Sequence, residues 1–161
     1  MAAPLLALHR RLQRWPAGGW LFSRAVCFKA PYFGSIAPRI TLLEVGRCKA
    51  RIADRRRVHN HIGTVHAIAL CNLAELTAGL MTDASIPASM RWIPQGMAVR
   101  YLKKAVGPQQ AVATPAAPIR EATEGYALPV DVAVRDATGD TVFTAQVDMW
   151  VSPKPARAAR S

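Results

Sequence analysis

Val65-His66-Ala67-Ile68-Ala69-Leu70-Cys71-Asn72-Leu73-Ala74-Glu75-Leu76-Thr77-Ala78-Gly79-Leu80-Met81 is the stretch whose reading decides the fold. Small and unbranched residues dominate it, so its helix propensity is good. Thr64 stands at the expected N-cap position, directly after Gly63. The segment is apolar nearly all the way round. A helix of that kind belongs in the middle of a fold, covered on most sides, rather than on its surface.

The flanking sequence supplies the cover. Before the helix, strand character begins near Ile40, and from Gly46 to Asp54 the chain alternates. Cys48, Ala50 and Ile52 face one way, and Arg47, Lys49 and Arg51 the other, as in a half-exposed strand. After the helix, strands are expected at Met97–Lys104, Gln110–Ala116, Tyr126–Arg135 and Thr141–Val151. The last two flank Asp136-Ala137-Thr138-Gly139-Asp140, a hairpin turn in which glycine supplies a positive φ. Leu128, Val130, Val132 and Val134 form one apolar face of this hairpin, continued by Phe143, Ala145, Val147, Met149 and Val151. Strands, one long buried helix, then hairpin-linked strands describe an α+β architecture, an antiparallel sheet curled around one central helix.

Upstream, residues 4–14 and Trp20 to Lys29 read as two short helical pieces, separated by Trp15-Pro16 and Gly18-Gly19 and ended by Pro31. Being basic and aromatic, they suit either a cap over the open end of the sheet, the preferred reading, or a weak contact with a membrane surface. The expected organisation is an N-terminal helical segment (1–30), one main domain (31–152) and a loose tail (153–161).

The chain has 161 residues and a formal charge of +11. That length holds one full core, and a chain half apolar is globular rather than disordered. No charge-free apolar run reaches the ~18–20 residues that span a bilayer. The N-terminus lacks the pattern of a secretory signal. Cys27, Cys48 and Cys71 are sparse and odd in number, with no Cys or His partner at metal spacing, which fits free thiols in a reducing cytoplasm. Residues 1–57 carry 12 Lys/Arg against 2 Asp/Glu, while residues 58–161 carry 9 against 8. The basic third invites polyanions. Nucleic acid is disfavoured as the partner, because no recognised nucleic-acid motif is present and Arg55-Arg56-Arg57 is a short cluster.

Glu75 is the informative polar residue. A carboxylate mid-helix among Leu73, Ala74, Leu76 and Ala78 is costly to bury, and Lys and Arg are absent from Val58 to Met90. It is either satisfied by a local hydrogen bond or poised as a general base. The approach to the helix, Asn60 to Ala67, offers a second element, since a helix N-terminus presents unpaired N–H groups able to hold an oxyanion. Asn60 adds a side-chain donor or serves as a turn residue. His66 adds an imidazole or is simply packed and hydrogen-bonded. Ala67 and Glu75 lie eight residues apart, about 12 Å along a helix. For both to act on one carbonyl, Glu75 must come from a second, antiparallel copy, as a two-fold dimer provides.

Asn60, His66 and Glu75 have the spacing of a known signature. The stretch resembles hotdog-fold thioesterases of the phenylacetate-pathway (PaaI-like) type, in which an Asn precedes a His-Gly-Gly by six residues and an acid follows the His by nine. Pro31-Tyr32-Phe33, Arg91-Trp92-Ile93-Pro94 and Val99-Arg100-Tyr101-Leu102-Lys103-Lys104-Ala105 resemble a less characterised hotdog subfamily, a domain of unknown function. The likeness runs roughly from residue 20 to 152. It implies the hotdog fold with extra N-terminal helices and an acyl-thioester hydrolase of acyl-CoA type whose site is shared across a homodimer or tetramer. Its partner would be an acyl-CoA or acyl-carrier thioester, and no cofactor is implied. In that likeness the Ala67 N–H would polarise the thioester carbonyl, and Asn60 would position the carbonyl or the water. Glu75 would act as base or nucleophile, and His66 would hold the loop or assist the carbonyl. Arg100, Lys103 and Lys104, with Arg91 behind them, are candidates for the phosphates of coenzyme A or for a solvated strand edge. Ala67 and Ile68 replace the two glycines and narrow the space, while Glu75 replaces the commoner Asp and reaches further. The alternative is therefore a non-catalytic acyl-CoA or acyl-carrier binding hotdog protein.

Overall fold

A computed structural model describes residues 4–155. The chain begins with helices α1 (Pro4–Leu12) and α2 (Gly18–Lys29), followed by a 3₁₀ turn (Pro31–Ile36). Strands β1 (Arg39–Glu44) and β2 (Arg47–Ile52) come next, and a short 3₁₀ turn at Arg56–Val58 leads to the central helix α3 (Ala67–Ser85). Strands β3 (Met90–Tyr101), β4 (Gln109–Pro115), β5 (Tyr126–Arg135) and β6 (Thr141–Pro153) complete the chain. All six strands join one antiparallel sheet in the order β1-β2-β4-β5-β6-β3. This is the expected hotdog architecture, a mixed α+β fold in which α3 packs against every strand.

The core follows the sequence pattern. Leu73, Ala74, Ala78 and Met81 of α3 have no measurable exposure, and they meet Cys48 and Ala50 from β2 and Leu128, Val130 and Val134 from β5. Each large apolar side chain buried this way contributes about 1.5–3 kcal/mol of transfer free energy. The turn between β5 and β6 holds Gly139 at φ 91°, as its glycine predicts. The chain adopts free thiols at all three cysteines, and burial pushes the Cys48 thiol up to about 12. Among the described residues no helix is long and apolar enough to cross a membrane.

Two local expectations are corrected. The N-cap of α3 is His66, not Thr64: the His66 Nδ1 accepts the Ile68 N–H at 3.0 Å. Thr64 is occupied elsewhere, its Oγ1 accepting from the Asn60 Nδ2 at 2.8 Å, and Val65 is drawn into a bridge with His59. The helix consequently starts two residues later than the sequence indicates, and it runs on to Ser85. Likewise β3 begins at Met90, seven residues before the expected Met97. Pro94 argues against a central strand, but β3 lies at the sheet edge and bulges between Pro94 and Gly96, where proline is tolerated. It ends at Tyr101 because Leu102 and Lys103 both turn their N–H groups to the Val142 carbonyl.

The N-terminal helices pack against β1 and α3. Leu6, Phe22 and Val26 enter the main core, and the buried His9 ring sits edge-on to Phe22 at 4.8 Å. Burial, followed by the adjacent Arg10, lowers the His9 pKa. At the other end, β6 runs to Pro153, and residues 156–161 of the expected tail lie outside the described residues.

Candidate functional site

Helix α3 is covered on most sides, and what remains open is a stripe carrying Ile68, Cys71, Asn72, Glu75 and Asp83. Edge strand β3 flanks this stripe. The Tyr101 hydroxyl lies 3.2 Å from the Cys71 Sγ, and the Trp92 Nε1–H reaches the Asp83 carboxylate at 3.3 Å. The hydrogen bond to Cys71 is the main cause pushing the Tyr101 phenol up to about 12, with burial second. Between these contacts the edge of the Trp92 indole comes up against the helix at Gly79. A Cβ at Gly79 would stand 2.8 Å from the indole edge, so only glycine admits the ring at this depth.

Glu75 is half-buried at a cavity of about 360 Å³. The lining is largely apolar, with Leu76, Gly79 and Leu80 from α3, Trp92 and Pro94 from β3, and Phe33 from the 3₁₀ turn. Leu5 of α1 and Val26 of α2 close the far side. Lys29 and Asp83 are the other charged residues in the lining, yet among the described residues Glu75 has no ion-pair or hydrogen-bond partner. A carboxylate at the mouth of an apolar cavity can take a proton from water, provided the water is held there.

The second sequence-expected element is formed but apart. The Asn60 Oδ1 accepts from the Ile62 and Thr64 N–H groups, both at 3.1 Å, and its Nδ2 donates to Thr64. Asn60 therefore shapes the loop into α3, and one amide proton is left over. With its Nδ1 accepting as the helix cap, neutral His66 carries its proton on Nε2. The Ala67 N–H opens the helix with no partner inside it, and exposed Ile68 stands alongside. Asn60 thus belongs to the loop that leads into α3, and His66 and Ala67 to its start, whereas Glu75 lies about two helical turns further on.

Among the cation candidates, Arg100 and Lys104 are exposed. Lys103 is engaged by Asp140 at 2.6 Å and Asp136 at 3.1 Å. Arg91, on the edge strand, reaches the Ser152 Oγ at 3.4 Å. Sequence reasoning missed the cavity's walls. The signal available was Gly79, a glycine inside a helix otherwise rich in strong helix formers, which marks a close approach. Lys29 lies too far along the chain from Glu75 to be associated with it.

Comparison with known proteins agrees with the fold. A family model described as a domain of unknown function (DUF4442) matches residues 18–151. A crystal structure of a genomics target is 46% identical, with a TM-score of 0.79, over 93% of this chain and 98% of that one. A thioesterase from Haemophilus influenzae superposes with a TM-score of 0.69 at 14% identity, over 79% of this chain and 86% of its own. A thioesterase from Staphylococcus aureus gives 0.66 at 15% identity, over 76% and 99%. At such identities the two thioesterases speak for the fold. No curated protein matches the chain.

Proposed function

The chain belongs to the DUF4442 family and has the fold of the hotdog thioesterases, and on that footing we propose that it hydrolyses an acyl thioester, of acyl-CoA or acyl-carrier type, at a site shared between two copies. The observation that carries the reading is the unpaired Glu75 carboxylate at an apolar cavity. In the proposed reaction Glu75 takes a proton from water as the water oxygen bonds to the thioester carbonyl carbon. The Ala67 N–H of the opposing copy holds the resulting oxyanion. Collapse breaks the C–S bond, the carboxylic acid departs, and Glu75 returns its proton to the leaving thiolate. Asn60 and His66 keep the loop and the helix start in place, and Arg100 and Lys104 serve the carrier's phosphates. The helical segment 1–30 acts as a cover on the domain 31–152, closing the cavity through Leu5 and Val26.

The test is thiol release from short, long and aromatic acyl-CoAs. Release on any of them supports hydrolysis. Thermal stabilisation by the same compounds with no release would point instead to a binding protein. That second reading is favoured by Ile68, which is 52% exposed and fills space beside the Ala67 N–H that glycine would leave clear.

The shared site makes a dimer an expected result. Among the described residues no strand lies beside the outer edge of β3, and Ile93 and Tyr101 on it are exposed, which suits pairing with a second copy across a two-fold axis. Sedimentation at micromolar concentration should give twice the chain mass or a multiple of it. A clean monomer would remove the shared site.

Gly79→Ala should act on chain-length preference. The added methyl pushes the Trp92 indole into the cavity, while the overpacking, about 1–3 kcal/mol, is offset by about 1 kcal/mol of helix propensity. The expected result is a melting temperature lowered by no more than about 8 °C and a selective loss of kcat/KM on longer acyl chains. An equal loss at every length would show that the acyl group lies elsewhere.

A further inference from the structure

At the opposite edge of the sheet from β3, a cleft of about 470 Å³ opens between α2 and the β1–β2 pair. Five arginines line it: Arg24 from α2, Arg39 from β1, and Arg51, Arg55 and Arg57 from the end of β2 and the turn that follows it. Trp20 forms part of the wall, and among the described residues no acidic side chain lines the cleft. Arg57 is fixed by donating to the carbonyls of Gly34 at 3.0 Å and Ser35 at 3.1 Å. Arg24 lies 5.9 Å from the centre of the Trp20 ring. Among the described residues Arg24, Arg39, Arg51 and Arg55 have no carboxylate partner.

Arg39 and Arg51 stand directly opposite each other in the β1–β2 register. Like charges facing across a ladder destabilise the pair, and the other three cations in the same cleft add to the repulsion. An arrangement that is unfavourable when empty becomes favourable with a multivalent anion in it. Guanidinium forks match phosphate oxygens two at a time, and the size is that of a small-ligand cleft. The concave shape, built from residues 20–27, 34–39 and 51–57 with Pro108, fits a small solute better than a flat bilayer or a polymer.

We infer that this cleft binds a small phosphorylated anion, held by the five guanidinium groups with its organic body against Trp20. The site is separate from Glu75 and does not depend on thioester hydrolysis.

Calorimetric titration of the full chain with sodium pyrophosphate and with adenosine 3′,5′-bisphosphate tests it, neither compound having a thioester. Binding of at least one is expected, weakened about tenfold or more in Arg39→Ala and in Arg51→Ala and unchanged in Arg120→Ala, which removes a cation placed over Tyr126. Folding is controlled within the same experiment. Arg51→Ala relieves the cross-strand repulsion, so its melting temperature in anion-free buffer should equal or exceed that of the wild type, while the rise that pyrophosphate gives the wild type is lost. Absence of binding by both anions would overturn the inference, as would weakening by Arg120→Ala to the same degree. Co-sedimentation with phosphatidylglycerol vesicles separates the two sources of phosphate. Arginine-dependent vesicle binding without binding of either soluble anion would assign the cluster to a lipid surface and overturn the small-ligand site.

Discussion

Glu75→Gln should abolish thiol release, lowering kcat by about 10²–10⁴-fold with KM little changed. The substitution keeps the shape of the side chain and removes only its ability to accept a proton. The wild-type carboxylate has no ion-pair partner among the described residues, so its replacement leaves no orphaned cation, and the melting temperature should hold. A thiol-trapping assay is practicable because Cys48 is fully buried and its thiol is held up near 12. Half-exposed Cys27 and Cys71 add only a fixed background. Equal turnover by mutant and wild type would eliminate Glu75 as the base and move attention to the loop at Asn60 and His66.

The second large effect concerns stability. Phe22→Ala is expected to cost about 3–5 kcal/mol, which for a chain of this size lowers Tm by roughly 6–20 °C. Phe22 has no exposed surface, although it comes from α2 in the N-terminal segment. Its ring meets His9 and belongs to the same core as Leu73 and Val130. Thermal unfolding followed by circular dichroism measures the change. A loss below about 1 kcal/mol would mean that α1 and α2 sit on a finished domain rather than within its core. A large loss in a single cooperative transition would make them part of the folding unit.

The two proposals differ in how far they could be read from residues alone. Helix α3 was legible because its requirement is local: a segment apolar all round must be enclosed, whichever elements enclose it. The β5–β6 hairpin was legible because alternation and turn chemistry agree over consecutive residues. The start of β3 was not, since Pro94 is informative only once the strand's place at the edge is known. The cap of α3 was obscured by competition. Thr64 is a good capping residue, but Asn60 takes its hydroxyl, and His66 takes the role instead. At the site, Glu75 stood out by contrast with its neighbours. The cavity beside it did not, because Leu5, Val26, Phe33 and Trp92 come together only through the tertiary fold. The arginine cleft was concealed in the same way: the sequence displays Arg55-Arg56-Arg57 as one small group, while the fold adds Arg24, Arg39 and Arg51 and turns Arg56 out of the lining.

The bulge between Pro94 and Gly96 also bears on how far association can proceed. A long bare strand edge is a template for open-ended growth, each added chain offering the next an edge of its own. Here the strand bends where the register shifts, which leaves Gly96 to Tyr101 as the straight portion. Two such short portions lying antiparallel saturate each other. The Met90–Pro94 portion left over is short, bent away and interrupted by proline, a poor template for a third chain, so assembly through this strand is finite, and concentrated solutions should hold discrete particles rather than filaments.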